Sequence, residues 1–204
     1  MKTVVDSVPL ERTDLMKIEN VQVYGLDESI RRAKFPMSVD TASLNHDLTK
    51  GITALAKSKS GEGHDQWLTG VVVQFDVTGS LKWWTEAQRY HFLDFVSSQS
   101  TMHRITRFDI ESQCNEFVHI GTISVLRGLV DCYNADPTPE NYLRVLYNIP
   151  TGFQLTAGMT TNYRQLKTIY KQRKYHRLPE WRDFCKWIES LPHSELIVGD
   201  VIGE

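Results

Sequence analysis

Two hydrophobic periods run along this chain, a two-residue one in short stretches and a helical one in longer stretches. Val71, Val73, Phe75 and Val77 alternate onto one side of an extended segment, so Leu68–Val77 is predicted as a strand. A shorter strand is predicted at Val21–Tyr24, ending at Gly25. Helical spacing predicts most of the rest. Asp27 is placed to cap a short helix over Glu28–Lys34, which Pro36 stops. Leu44, Leu48, Ile52 and Leu55 share one face of a helix over 43–58, although Gly51 inside it costs about 1 kcal/mol relative to Ala. Trp83, Trp84, Ala87, Tyr90, His91, Phe95 and Val96 give a helix over 81–96 a wide apolar face. Residues 107–148 are predicted to be mostly helical and to build the body of the molecule. They include a helix over Thr122–Cys132 and one over Pro139–Tyr147 that Thr138 caps. Tyr163, Leu166, Ile169 and Tyr170 mark a further helix, capped by Thr160 or Thr161 and ended by Pro179. Trp181, Phe184, Cys185 and Ile188 point inward from the last one.

The polar stretches fall between these elements. Residues 58–63 form a loop, and a turn signal at Pro150–Thr151–Gly152 opens another that runs to Thr161. Residues 97–104 are rich in hydroxyls and amides, which are costly to bury unsatisfied, so they form a surface loop or a ligand-binding loop. Residues 193–204 read as a polar tail with a short strand at Glu195–Val198.

Composition narrows the class. With 204 residues, 41% of them apolar and 24% charged, the chain suits one soluble globular domain over 1–204 with a core of ordinary size. A formal charge of −2 gives no overall pull toward nucleic acid or membrane, and neither is expected as a partner. No apolar run approaches the roughly 20 residues of a membrane span. The first 15 residues lack the apolar core of a signal peptide. Three widely spaced cysteines, Cys114, Cys132 and Cys185, suit a reducing cytoplasm better than a disulfide framework. P-loop, dinucleotide-fingerprint, zincin and nucleophile-elbow motifs are absent from the sequence.

The charge is unevenly spread. Arg164, Lys167, Lys171, Arg173, Lys174 and Arg177 crowd one helix and its end. One reading is a solvated basic face. The other is an anion site with guanidinium groups aimed at phosphate. The order of residues bears on the second. Pro150, Thr156, Thr160, Asn162, Arg164, Leu166, Ile169, Tyr170 and Arg173 follow the pattern P-x5-T-x3-T-x-N-x-R-x-L-x2-hydrophobic-hydrophobic-x2-R. This resembles the C-terminal signature of the flavin-dependent thymidylate synthases over about 30 residues. The string from Trp83-Trp84 through Glu86 and Tyr90 to His103 also looks like a divergent branch of that family found in phages and their hosts.

The resemblance implies an α/β (α+β) fold with a central mixed or antiparallel sheet flanked by helices. It implies a cytoplasmic homotetramer, in a bacterium or a phage-infected host, with sites shared between chains. The implied reaction is methylation of dUMP by methylenetetrahydrofolate with reduced FAD, NADPH being the electron donor. Carried over residue by residue, Arg173 contacts and activates the pyrimidine, and Arg144 meets the nucleotide phosphate. Ser97, Gln99, Arg104, Asn162 and His176 are flavin or nucleotide contacts, and His64 takes the place of a polar residue before a strand. The family's R-H-R-x2-S-x-N-x2-S-x-R motif is only partly kept. Ser97 and Arg104 match, Gln99 and Met102 are substitutions, and Phe92, Leu93 and Asp94 stand where the triplet belongs. Arg89 and His91 lie close by, three residues too early, so the motif's cations are either displaced onto them or missing. That departure opens a second reading, a homologue that binds or sequesters a nucleotide, or modifies another pyrimidine, without normal use of FAD. A third reading is a structural oligomer with the tryptophan helix at its subunit contacts.

Overall fold

The computed structural model describes residues 15–59 and 61–198; the signal-peptide reading of the N-terminus and the end of the polar tail concern residues outside that range. Among the described residues, β1 (Lys17–Tyr24), β2 (Val72–Ser80), β3 (Asp94–Ser98) and β4 (Gln154–Asn162) form one sheet in the order β1-β2-β4-β3. Every pairing is antiparallel. The fold class is therefore α/β with a central antiparallel sheet flanked by helices, as the resemblance implied.

β4 is a correction to the sequence reading, which made residues 150–161 a loop. Leu155, Ala157, Met159 and Thr161 are buried and alternate with half-buried Gln154, Thr156, Gly158, Thr160 and Asn162. Small and hydroxylated residues on the inner positions hide that alternation from hydrophobicity alone. In register, Phe75 faces Met159 and Val77 faces Ala157 on the core side, while Gln74 faces Thr160 and Thr78 faces Thr156 on the other. The Thr78 and Thr156 hydroxyls share a 2.7 Å hydrogen bond there.

The core face of the sheet packs against α3 (Leu81–Ala87), α8 (Tyr163–Arg173) and α9 (Pro179–Glu189), through Trp83, Tyr163, Leu166, Ile169, Trp181 and Phe184. A second cluster joins Phe153 and Leu155 to α5 (Ile110–Gln113), α6 (Ile120–Ala135) and α7 (Pro139–Tyr147). α7 begins as predicted, with Thr138 accepting from the Asn141 amide. A third cluster holds α1 (Leu26–Arg32) to α2 (Lys50–Ala56), and α4 is the single turn Thr101–Arg104.

Several predicted boundaries move, each for a local reason. Residues 43–49 are not helical. Asn45 and Asp47 bond each other and the local backbone, which competes with helix formation, and Thr49 starts α2 by accepting from Ile52. α1 is preceded by Gly25 at φ 72° rather than capped by Asp27. A Cβ on Gly25 would lie 2.6 Å from the Gly70 carbonyl oxygen, so only glycine lets these segments approach. The predicted helix over 81–96 stops at Ala87. Phe92 then turns the chain at φ 62°, and Thr161 donates to its carbonyl at 2.7 Å, which directs the next residues into β3. Asn162, not Thr160 or Thr161, caps α8 by accepting from the Gln165 amide at 2.9 Å. Residues 194–196 form a 3-10 turn in place of the predicted strand. No helix of the described residues is long and apolar enough to cross a membrane.

Candidate functional site

The end of β4 and the start of α8 face the turn before β3 across an open cleft of about 490 Å3. Its walls are Asp65, Gln66 and Thr69 on one side, Phe92 on another, and Asn162, Arg164, Gln165 and Thr168 on the third. Each wall is fixed by a feature of local folding. The Gly25–Gly70 approach seats the turn over Gln66–Gly70. The Thr161 hydroxyl holds the Phe92 carbonyl. The Asn162 cap begins α8.

The electrostatics of the cleft centre on Asp65, whose side chain is 2% exposed. Its two carboxylate oxygens accept from Arg164 Nε at 3.0 Å and from Lys167 Nζ at 2.8 Å. Arg164 also donates to Gln66 Oε1 at 2.6 Å, and Lys167 to the carbonyls of Ala56 and Ser58 at 2.7 Å each. Two of the six crowded cations are thus committed to a buried carboxylate. Burying a charge is tolerable only with such partners.

At the far end of α8 the arrangement changes. Arg173 Nε donates to the Tyr90 hydroxyl at 2.7 Å, and Nη1 meets Glu86 Oε2 at 3.2 Å. Its guanidinium lies 4.7 Å from the Trp181 ring centroid and 5.4 Å from that of Tyr90. Trp181 Nε1 donates to the same Glu86 oxygen at 3.1 Å, and His176 Nε2 stands 3.7 Å from it. Burial pushes the Glu86 carboxyl up. Hydrogen bonds from Lys82 and Trp181, with the charges of Lys82 and His176, outweigh that and leave it below its ordinary value of 4.5. This is a closed cage of ion pair, aromatic faces and hydrogen bonds. Arg173 lines neither this cleft nor the cavity described next.

The other residues singled out from the sequence scatter. Asn162 lines the cleft, while His64 and His91 each sit one residue from a lining side chain and are exposed. Arg89 is exposed on the turn after α3. Ser97 lies on the exposed strand β3, and Gln99 is tied to β4, exchanging bonds of 2.9 Å with Thr156 through its backbone amide and its side-chain oxygen. Arg104 is exposed at the end of α4. Arg144 pairs with Glu140 on the surface of α7 at 2.6 Å. A second cavity, of about 520 Å3, opens near the start of β4, and none of these residues lines it. Its buried Glu180 accepts from the Ser80 amide at 2.9 Å, and burial raises that carboxyl despite the bonds from Ser80. That carboxylate therefore tethers α9 to the end of β2.

Sequence reasoning missed Asp65 and gave no role to the Phe92 ring. The signal for Asp65 was the polar run His64-Asp65-Gln66 between a glycine-rich loop and the strongest strand.

An antiparallel sheet backed by helices on its core face, with an amide-rimmed cleft where the central strand runs into α8, defines an α/β protein with a ligand-sized pocket. Among solved structures this fold is that of the flavin-dependent thymidylate synthases. A crystal structure of the Helicobacter pylori enzyme ThyX, complexed with FAD and dUMP, superimposes with a TM-score of 0.70 over 89% of this chain and 97% of that one, at 16% identity. Another structure of ThyX from the same organism, with FAD and dUMP, gives 0.70, 90% and 96%, at 17% identity. No protein-family model and no curated protein matches the sequence.

Proposed function

We propose that this chain is a nucleotide-binding enzyme of the flavin-dependent thymidylate synthase type, folded as one domain over 1–204 and assembled as a homotetramer. In this reading it methylates a dUMP-like pyrimidine with methylenetetrahydrofolate, FAD and NADPH. The observation that carries it is a likeness spanning nine-tenths of the chain to structures that hold FAD and dUMP, joined to a signature that starts at Pro150 and runs along β4 and α8 from Thr156 to Arg173. Arg173 is the proposed pyrimidine contact, and Glu86 must release it before it can meet a ligand.

The fit to FAD is partial. The cleft has the size and the flat aromatic wall for a ring system. Its lining holds one arginine and one aspartate, already bonded to each other, and so offers no free cation to a diphosphate. That same balance favours the second reading, a homologue that binds or sequesters a nucleotide without normal use of FAD.

The visible absorption spectrum of the purified protein separates the two. Flavin bands that appear with added FAD and shift with added dUMP support the enzyme. A protein that leaves both spectra unchanged, yet gains thermal stability with a pyrimidine nucleotide, supports the second reading.

A further inference from the structure

We infer that the cavity between the starts of β4, α3 and α9 is a binding site for a small organic amine, with the Glu180 carboxylate receiving its ammonium group. This cavity shares no lining residue with the cleft beside Phe92, and its reading does not depend on the flavin chemistry proposed above.

The walls are held by backbone pairing around the turn over 150–153. The carbonyls of Thr151 and Phe153 accept from the amides of Lys82 and Leu81, at the start of α3, at 2.9 Å each. The Gly152 carbonyl accepts from the Asn115 amide at 3.0 Å. A Cβ on Gly152 would lie 2.5 Å from Val118 Cγ2, so glycine lets the turn close on that segment. From the third side, Glu180 ties the start of α9 to the Ser80 amide. The space framed in this way is about 520 Å3, which suits a small molecule.

The carboxylate in this wall lacks a cation. Glu180 is 2% exposed, and among the described residues it receives hydrogen bonds from Ser80 alone. No lysine, arginine or histidine of those residues forms an ion pair with it. The Lys82 ammonium, which also lines the cavity, is bonded to Glu86 Oε1 at 3.1 Å. Burial raises the Glu180 carboxyl, and the charges of Asp183 and Glu86 raise it further. A charge this deep is costly to keep without an opposite one. A ligand ammonium in the cavity would offset that cost, and an anionic ligand would add to it.

The rest of the lining sets what carries the ammonium group. Val118, Pro150, Leu178 and Pro179 present apolar sides. The Phe117 ring, 72% exposed, stands at the mouth, where its face can meet both an apolar body and a positive charge. A bare inorganic cation would leave these sides unfilled. An amine on an aliphatic or aromatic body uses both the acid and the apolar walls.

The test titrates phenethylamine, its neutral counterpart phenethyl alcohol and the anion phenylacetate into the full chain, read by saturation-transfer nuclear magnetic resonance. Phenethylamine should saturate the native protein, with the alcohol and the anion about tenfold or more weaker, the factor a charge-assisted hydrogen bond contributes. Glu180→Gln keeps an acceptor for the Ser80 amide and removes the charge. It should weaken the amine about tenfold or more and leave the alcohol unchanged. Phe117→Ala, at an exposed position, should weaken the amine about threefold and keep its advantage over the alcohol. Added FAD should leave amine affinity unchanged. Equal affinity of the native protein for amine and alcohol overturns the inference, as does the absence of amine binding. So does unchanged amine affinity in Glu180→Gln, or displacement of the amine by FAD, which would put it in the other cleft. If Glu180→Gln does not fold, as read by circular dichroism, Phe117→Ala decides, and unchanged amine affinity there overturns the inference.

Discussion

The two ends of α8 solve the same problem in different ways. At the start of the helix, Arg164 and Lys167 share the buried Asp65, and a cleft stays open beside them. At its end, Arg173 shares Glu86 with Lys82, Trp181 and His176, and aromatic rings close over the guanidinium. In the first case the neutralising carboxylate is almost wholly removed from water. In the second it is 19% exposed and sits at a junction of three helices. The lesson is that a run of basic residues in sequence says little about free positive charge in the fold. Three of its six cations, Arg164, Lys167 and Arg173, are matched to carboxylates, and the cleft end of the helix has space for a ligand.

Breaking the buried end should have the largest effect. Asp65→Ala leaves Lys167 and Arg164 without their carboxylate, and is expected to cost about 3–5 kcal/mol of stability, read by urea denaturation. A loss under 1 kcal/mol would mean that Asp65 is not the anchor of this end. The cage should be more forgiving. Glu86→Gln removes charge but keeps shape, and is expected to cost about 1–3 kcal/mol at neutral pH. Its pH dependence sharpens the contrast. The folded Glu86 carboxyl titrates below its ordinary 4.5, so its stabilisation is complete above that value and is lost as pH falls through the lowered one. The difference between native protein and Glu86→Gln should therefore shrink as the pH falls below the ordinary carboxylate value of 4.5. A constant difference across that range would refute the assignment of Glu86 as the charged partner. The smallest effect is expected at the surface pair of α7, where Arg144→Ala should change stability by no more than about 0.5 kcal/mol. A larger loss there would show that Arg144 does more than pair with Glu140.

The legible part of the fold was the helices with a clear apolar face and the strands β1 and β2, where Val73, Phe75 and Val77 alternate into the core. Leu166 and Ile169 on α8, and Trp181, Phe184 and Ile188 on α9, repeat at a spacing that one sequence displays without help from its neighbours, and Thr138 announces its helix. The part that was hidden depends on partners distant in sequence. β4 has alanine and threonine on core positions, so only pairing with β2 and β3 makes it a strand. β3 was absorbed into a helix because Phe95 and Val96 continue the apolar spacing of Trp83 and Trp84, and the Phe92 turn that breaks it has no glycine to mark it. At the site, the motif brought Asn162 to the cleft. It gave no sign that Glu86 holds Arg173, or that Asp65, 99 residues away in sequence, holds Arg164.

The order β1-β2-β4-β3 also governs when the sheet can form. β2 and β3 are close in sequence but never pair, because β4 lies between them. The hydroxyl pair across β2 and β4 joins residues 78 positions apart. A chain emerging from the ribosome therefore carries β2 with one vacant edge, and β3 with no neighbour at all, until the stretch through Asn162 has been made. Pairing at such separation is intrinsically slow, and an unfilled edge is a template for unwanted association. The strand that leads into the candidate cleft is thus also the last piece of the sheet to arrive.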